Sequence, residues 1–508
     1  GVAIIAGAGL AMRPAHAATW GAQEPAAAPP VPAAGADDAA RQAELASDAA
    51  AFDACAEFDA DRDVLSFKQP PTEAALRHLP RVPGLMERTE LTLGGDVTAE
   101  ALRVLAAPGA GLKNLTELTI DNATMTAEGF KILTAADTGL RNLAKLGLWN
   151  TSLTVDGLKA LAAAETGLKN LQVLEVWQTT ITDEGLSALA ARDSGLVDLT
   201  ALSVSGDTFT AEGLKALAAA DTGLRGLTTL NLDGAIGMDD VLKAVASPDT
   251  GLKNLKMLDV ELTDVTDDGL RALAAPNTGV RNLRRLDISQ TRVTDDGLKA
   301  LAAADTGLKN LTELELRSTG VSDEGLKAMA AADTGVKNLS RISLSGTRIG
   351  DEGLKAFAAP DTGLKNLTVL VVQSNMVTDD GVTAVAAPDT GLNKLGTLSF
   401  LNTRVSPSGL KALAATDTGL KNLTFLVLTG DTITDEGLRA LAAADTGLKG
   451  LTRLNLYNTS ITDEGLKALA AKDTGLKNLR SLALQGSNVT DEGLAAVRAR
   501  FPGIWTRR

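Results

Sequence analysis

The chain has 508 residues and a formal net charge of −14, which disfavours nucleic acid as a partner, because neutralising phosphates requires a basic face. Two histidines and one cysteine, Cys55, leave no material for a His/Cys metal centre or a Cys–His nucleophile pair. Aromatic residues are only 3% against 44% apolar, so the core must be made of small aliphatic layers rather than one large aromatic centre.

In chain order, residues 1–17 read as the remainder of an export signal. Val2 to Met12 is small and apolar, and Ala15-His16-Ala17 has the small-x-small pattern of a cleavage site. Residues 18–39 read as a Pro/Ala-rich linker, with Pro29, Pro30 and Pro32 among small side chains. Residues 40–84 predict a helical N-terminal cap, in which Leu45, Phe52, Cys55 and Phe58 make a weak apolar stripe. Pro70-Pro71 separates it from a second short helix over 72–79. A buried Cys55 is the favoured reading, with intermolecular pairing as the alternative if the thiol is exposed. No later run is long and apolar enough to predict a membrane span.

The segment 85–508 is repetitive. A Gly-Leu or Gly-Val pair ends at Leu112, Leu140, Leu168 and so on to Leu476, always at an interval of 28 residues. About fifteen strand-bearing units fit between Leu85 and Trp505, the last with a C-terminal cap. The unit from Leu168 to Gly195 shows the logic. Leu174 and Val176 share one face of a short strand, and Glu175 faces the other way. Ile181 returns inward, Thr182 caps a helix, and Asp183 and Glu184 occupy the first turn where the helix dipole favours acids. Leu186 and Leu189 complete the inward set at helical spacing, and Gly195 predicts a tight turn at positive φ. One unit cannot bury these side chains alone, whereas stacked units can. Strands stack at about 4.8 Å and helices need about 10 Å, so the stack must curve with its sheet inside.

The spacing LxxLxLxx[N/T/C]x[L/V] resembles that of leucine-rich repeats. The phrase from Ile181 to Ala190 is similar to the cysteine-containing, F-box-type repeats, and the 28-residue period to the ribonuclease-inhibitor type, here in an Ala-rich version resembling bacterial repeat proteins. The position often Asn or Cys is mostly Thr, as at Thr179, Thr263, Thr291, Thr319 and Thr347. The resemblance implies an α/β horseshoe solenoid with a parallel sheet on the concave face, helices on the convex face, and protein recognition without a shared chemistry.

Fixed register allows columns to be compared. One concave column contains Glu175, Asp259, Asp287, Glu315, Val371 and Val427; the next contains Trp149, Trp177, Asp233, Glu261, Leu401 and Tyr457. Trp149, Trp177 and Tyr457 are interface candidates, because inward positions need no aromatics and binding hot spots favour Trp and Tyr. Cross-strand packing is the competing account. Glu175, Asp233, Asp259, Glu261, Asp287 and Glu315 form an acidic sector suited to a basic partner or a cation, unless it is merely a solvated acidic surface. Val371, Leu401, Phe425 and Val427 form an apolar sector toward the C-terminal half.

Two further patterns read as structural. A basic column at the turn into each strand, including Lys113, Arg225, Lys253, Arg281, Lys309 and Lys477, could meet a polyanion, but pairing with acidic helix ends is the simpler expectation. Helix pairs such as Asp323 with Lys327 have i,i+4 spacing. Thr-Asp-Asp-Gly phrases lack the ligand density of calcium loops, so capping explains them. Taken together, the sequence predicts an exported, monomeric, non-enzymatic scaffold for a protein partner, without cofactor or metal. A host-delivered effector, an intracellular adaptor and a structural spacer are the alternatives.

Overall fold

The computed structural model describes residues 36–109, 111–123, 125–151, 153–179, 181–205 and 209–508. The export segment 1–17 and the linker as far as residue 35 lie outside them. Helix α1 (Ala36–Cys55) begins inside the stretch read as linker, and is followed by strands β1 (Ala56–Asp59) and β2 (Val64–Phe67) and helix α2 (Glu73–His78). β1 and β2 form an antiparallel hairpin, and β2 pairs in parallel with β3 (Glu90–Gly95). The cap is therefore not purely helical, and the sheet starts before Leu85. Phe52, Leu65, Phe67 and Leu79 bury its apolar side, and Cys55 is a buried free thiol. Asp48, 2% exposed, is held by Arg77 at 2.8 Å.

From β2 onward the described strands run parallel in one sheet that reaches Trp505–Arg507, eighteen strands in all with β1. Successive strands pair at matching repeat positions: Leu146 faces Leu174, which faces Leu202. The result is a curved solenoid of 28-residue units, sheet inside and helices outside, as the difference between strand and helix widths requires. In the unit analysed above, the strand is Val173–Trp177 and the helix Asp183–Leu189, with Thr182 accepting from the Gly185 N–H. Leu174, Val176, Ile181, Leu186 and Leu189 are all fully buried. Among the described residues, no helix is long and apolar enough to cross a membrane.

Two local expectations change. Gly195 is not left-handed; it is needed because a Cβ there would lie 2.3 Å from the Ala163 carbonyl oxygen of the preceding repeat. The left-handed residues sit instead just after the strands, among them Asn150, Gln178 and Gln290. Lys327 pairs with Glu324 at 2.8 Å, one position nearer than Asp323. The buried threonines Thr263, Thr291, Thr319 and Thr347 each donate to the carbonyl three residues earlier, at 2.6, 2.7, 2.8 and 2.7 Å. They thus satisfy locally a buried turn carbonyl.

The Thr-Asp-Asp-Gly phrase has a role beyond capping its own helix. The first helical aspartate of one repeat grips the helix start of the next. Asp295 Oδ1 accepts from the Ser322 and Gly325 N–H groups at 2.7 and 3.0 Å, while Oδ2 accepts from the Ser322 hydroxyl at 2.6 Å. Asp183 does the same to Thr210, and Asp351 to Thr378 and Gly381. Where the preceding helix begins with aspartate, orphan N–H groups at a helix start are thereby satisfied by a neighbour. We expect Asp295→Ala to cost about 1–3 kcal/mol in urea unfolding, the range for stripping partners from buried groups. Asp296→Ala, which removes only an exposed carboxylate bound to Lys299, should leave the urea midpoint near that of the parent.

Candidate protein-binding face

Because strand residues alternate, the concave face receives one side chain from every second strand position. Trp149 and Trp177 stand in register on adjacent strands. Trp149 is 38% exposed. Its indole lies along the sheet, with Nε1 only 3.2 Å from where a Cβ on Gly147 would be, so the glycine lets the ring lie flat. Trp177 is half-buried, and its indole N–H is buried with no hydrogen-bond partner. Beside Gly147 in register is Glu175, half-buried and paired with Lys145 at 3.1 Å.

The acidic sector continues along the same face, but the structure divides it. Asp287 and Glu315, expected to be exposed, are 2% and 4% exposed. Arginines of the same and following strands cover them: Arg341 Nε lies 2.8 Å from Glu315, and Arg285 and Arg317 approach Asp287 at 3.8 and 4.0 Å. Arg317 also reaches back two repeats to Glu261 at 3.1 Å, which in addition accepts from Gln290 at 2.8 Å. The column contained this arginine, but sequence spacing gave no sign that its side chain would span two repeats.

Asp233 and Asp259 remain without a cation. Asp233 is half-buried, and its Oδ1 is buried without a partner. Burial, then the charges of Glu261 and Asp287, push its carboxyl above the usual range. Burial, with Asp287 as the largest charge contribution, raises Asp259 to about 6. Burial likewise raises Asp287, against hydrogen bonds from Ser289. Oxygens of Asp259, Glu261 and Asp287 lie within 4.8 Å of one another. Among the described residues, this trio is the set that could hold a divalent cation, although Arg317 already supplies positive charge to two of its members.

The apolar sector is partly covered. Val371, Leu401, Val427 and Tyr457 are half-buried, and the Arg453 guanidinium lies 4.3 Å above the Phe425 ring. Exposed apolar groups occur instead around the acidic residues: Ile236 (56% exposed), Met257 (41%) and Leu262 (54%). The columns first considered did not include them. Leu262 also has a φ of 60°, a left-handed position where neighbouring repeats place Gln290 and Ser318, and where a leucine is strained. A leucine in a column of glycine and polar residues was the available signal.

The raised pKa of Asp259 has a definite sign. Its unfolded value is about 3.9, so the fold favours the protonated acid. Its stabilising contribution is full below about pH 4 and is lost as pH rises through about 6. Asp259→Asn should therefore exceed the parent in stability at pH 7.5 by about 1–3 kcal/mol, with the two converging near pH 4. Urea midpoints at the two pH values check this, and parallel pH profiles would rule it out.

Nine segments match the family described as Leucine Rich repeat: residues 167–190, 251–274, 281–302, 307–330, 337–358, 363–386, 419–442, 451–470 and 475–497. No curated protein matches the sequence. Among solved structures, an internalin from Listeria monocytogenes is 19% identical, covering 70% of this chain and 88% of that one, with a TM-score of 0.40. A leucine-rich-repeat protein of Leptospira interrogans is 18% identical, covering 87% and 99%, with a TM-score of 0.42. The matched segments share one strand–turn–helix unit with the remainder of the parallel sheet, and the chain is a leucine-rich-repeat protein.

Proposed function

We propose that this protein is a non-catalytic scaffold that holds a protein partner against the N-terminal half of its concave face. The observation that carries this reading is the Trp149–Trp177 pair, placed in register on the sheet at positions where the core requires no aromatic. Trp149 offers a large rigid contact surface of the kind that dominates interfaces. Asp233, Asp259 and Glu261, rimmed by Ile236, Met257 and Leu262, extend the surface. This acidic patch favours a partner with basic residues, whose charges would supply the counterions that Asp233 and Asp259 lack. Asp287 and Glu315 act there through the arginines that cover them. Val371, Leu401, Phe425, Val427 and Tyr457 form a secondary contact area. The helix-bearing 28-residue unit supports affinity with the ribonuclease-inhibitor type of repeat. The small apolar start and Ala15-His16-Ala17 support export, with the Pro/Ala-rich stretch ahead of Ala36 linking to the cap and the repeat body.

A pull-down with the chain from Ala18 as bait, compared with Trp149→Ala plus Trp177→Ala, tests the reading. We expect partner capture to fall at least tenfold while circular dichroism and the urea midpoint stay near those of the parent. Undiminished capture by the folded double variant would remove the tryptophans from the mechanism. A second expectation concerns Leu262→Asn. It relieves a left-handed leucine and should stabilise the fold by about 0.5–1 kcal/mol, while weakening capture of the same partner.

A further inference from the structure

The basic column does not do what its spacing suggested. Lys253, Arg281 and Lys309 make no ion pair with any described residue, so acidic helix ends do not neutralise them. They line the edge where the strands begin. Below them runs an asparagine ladder: Asn254, Asn282 and Asn310 donate to the carbonyls of Arg225, Lys253 and Arg281 at 3.0, 2.9 and 2.9 Å. The ladder fixes the backbone that carries the cations.

Three residues break the repeat in this region. The position just before the strand is usually Thr or Ser, whose hydroxyl donates to the preceding repeat, as Thr312 does to Arg284 at 3.0 Å and Thr368 to Ser340 at 3.0 Å. At Lys256 and Arg284 that bond is given up for exposed cations without a carboxylate partner. The turn four residues before the basic column is acidic in every repeat from Asp137 to Asp473 except one, where it is Asn277. Lys256 and Arg284 both line one depression of about 600 Å³, together with Asn254, Asn282, Asn310 and Thr312, among others. Stacking alone would favour the common residues. Their replacement concentrates positive charge in a strongly acidic protein.

The lining also limits the ligand. It contains no aromatic or aliphatic anchor, which argues against the stacked bases of single-stranded nucleic acid and against a protein hot spot. Amides, hydroxyls and cations instead suit sugar hydroxyls and anionic groups. The depression runs along five repeats, about 19 Å at strand spacing, which suits a linear chain. The geometry points to this edge as a binding site for an anionic polysaccharide, separate from the concave face.

Dextran sulfate is the probe, with uncharged dextran, a single-stranded oligonucleotide and anionic phospholipid vesicles as comparisons. Lys256→Thr plus Arg284→Thr restores the common repeat residue and should fold. It should weaken dextran sulfate binding at least tenfold and lower the salt slope by about 1–2. The Trp149→Ala plus Trp177→Ala variant, and a control removing the helix cations Lys159 and Lys411, should bind as the parent does. The proposal is overturned if the double Thr variant binds normally, if the helix control weakens equally, or if oligonucleotide or vesicles bind more tightly than dextran sulfate.

Discussion

The solenoid depends on a carboxylate that looks forward. A helix-start aspartate satisfies N–H groups of the next repeat, as Asp295 does at Ser322 and Gly325. Close approach of the Gly195-type turn to the carbonyl before it holds the neighbouring layer from a second point. Together they fix helix spacing on the outside while strand pairing fixes it on the inside. Stability thus resides in columns of Asp, Gly, Thr and Leu, and the concave columns are released from structural duty.

Much of this was legible in the sequence. The period, the inward Leu174, Val176, Leu186 and Leu189, the Thr182 cap and the curved stack all follow from rules that act within one unit or between equivalent positions. What was not legible depends on side-chain reach and local backbone shape. Gly195 signals a special environment, but its spacing cannot distinguish positive φ from a missing Cβ. The column pattern put Asp287 on the sheet surface, yet long arginines of its own strand and of the next repeat cover it. Trp149 and Trp177 were legible as interface candidates because aromatics are rare here. Leu262 escaped notice because the turn after the strand was not read as a column.

Charge is arranged by face rather than by average. A net charge of −14 coexists with an unpaired cationic edge and an acidic interior curve. Asp233 and Asp259, partly withdrawn from water, keep their protons more readily than ordinary aspartates because burial outweighs their remaining hydrogen bonds. Salt would screen the exposed edge far more than these carboxylates, so the two surfaces are separable in solution.

Where it is present, the forward-looking carboxylate makes the joints between repeats interchangeable. A whole unit can be copied or lost with both cut surfaces still matching, so the inner arc changes length in steps of about 4.8 Å. Tandem duplication therefore sets how large an object the arc can embrace, while point substitutions on its inner columns set which object. Reach and recognition can evolve on separate tracks in the same gene.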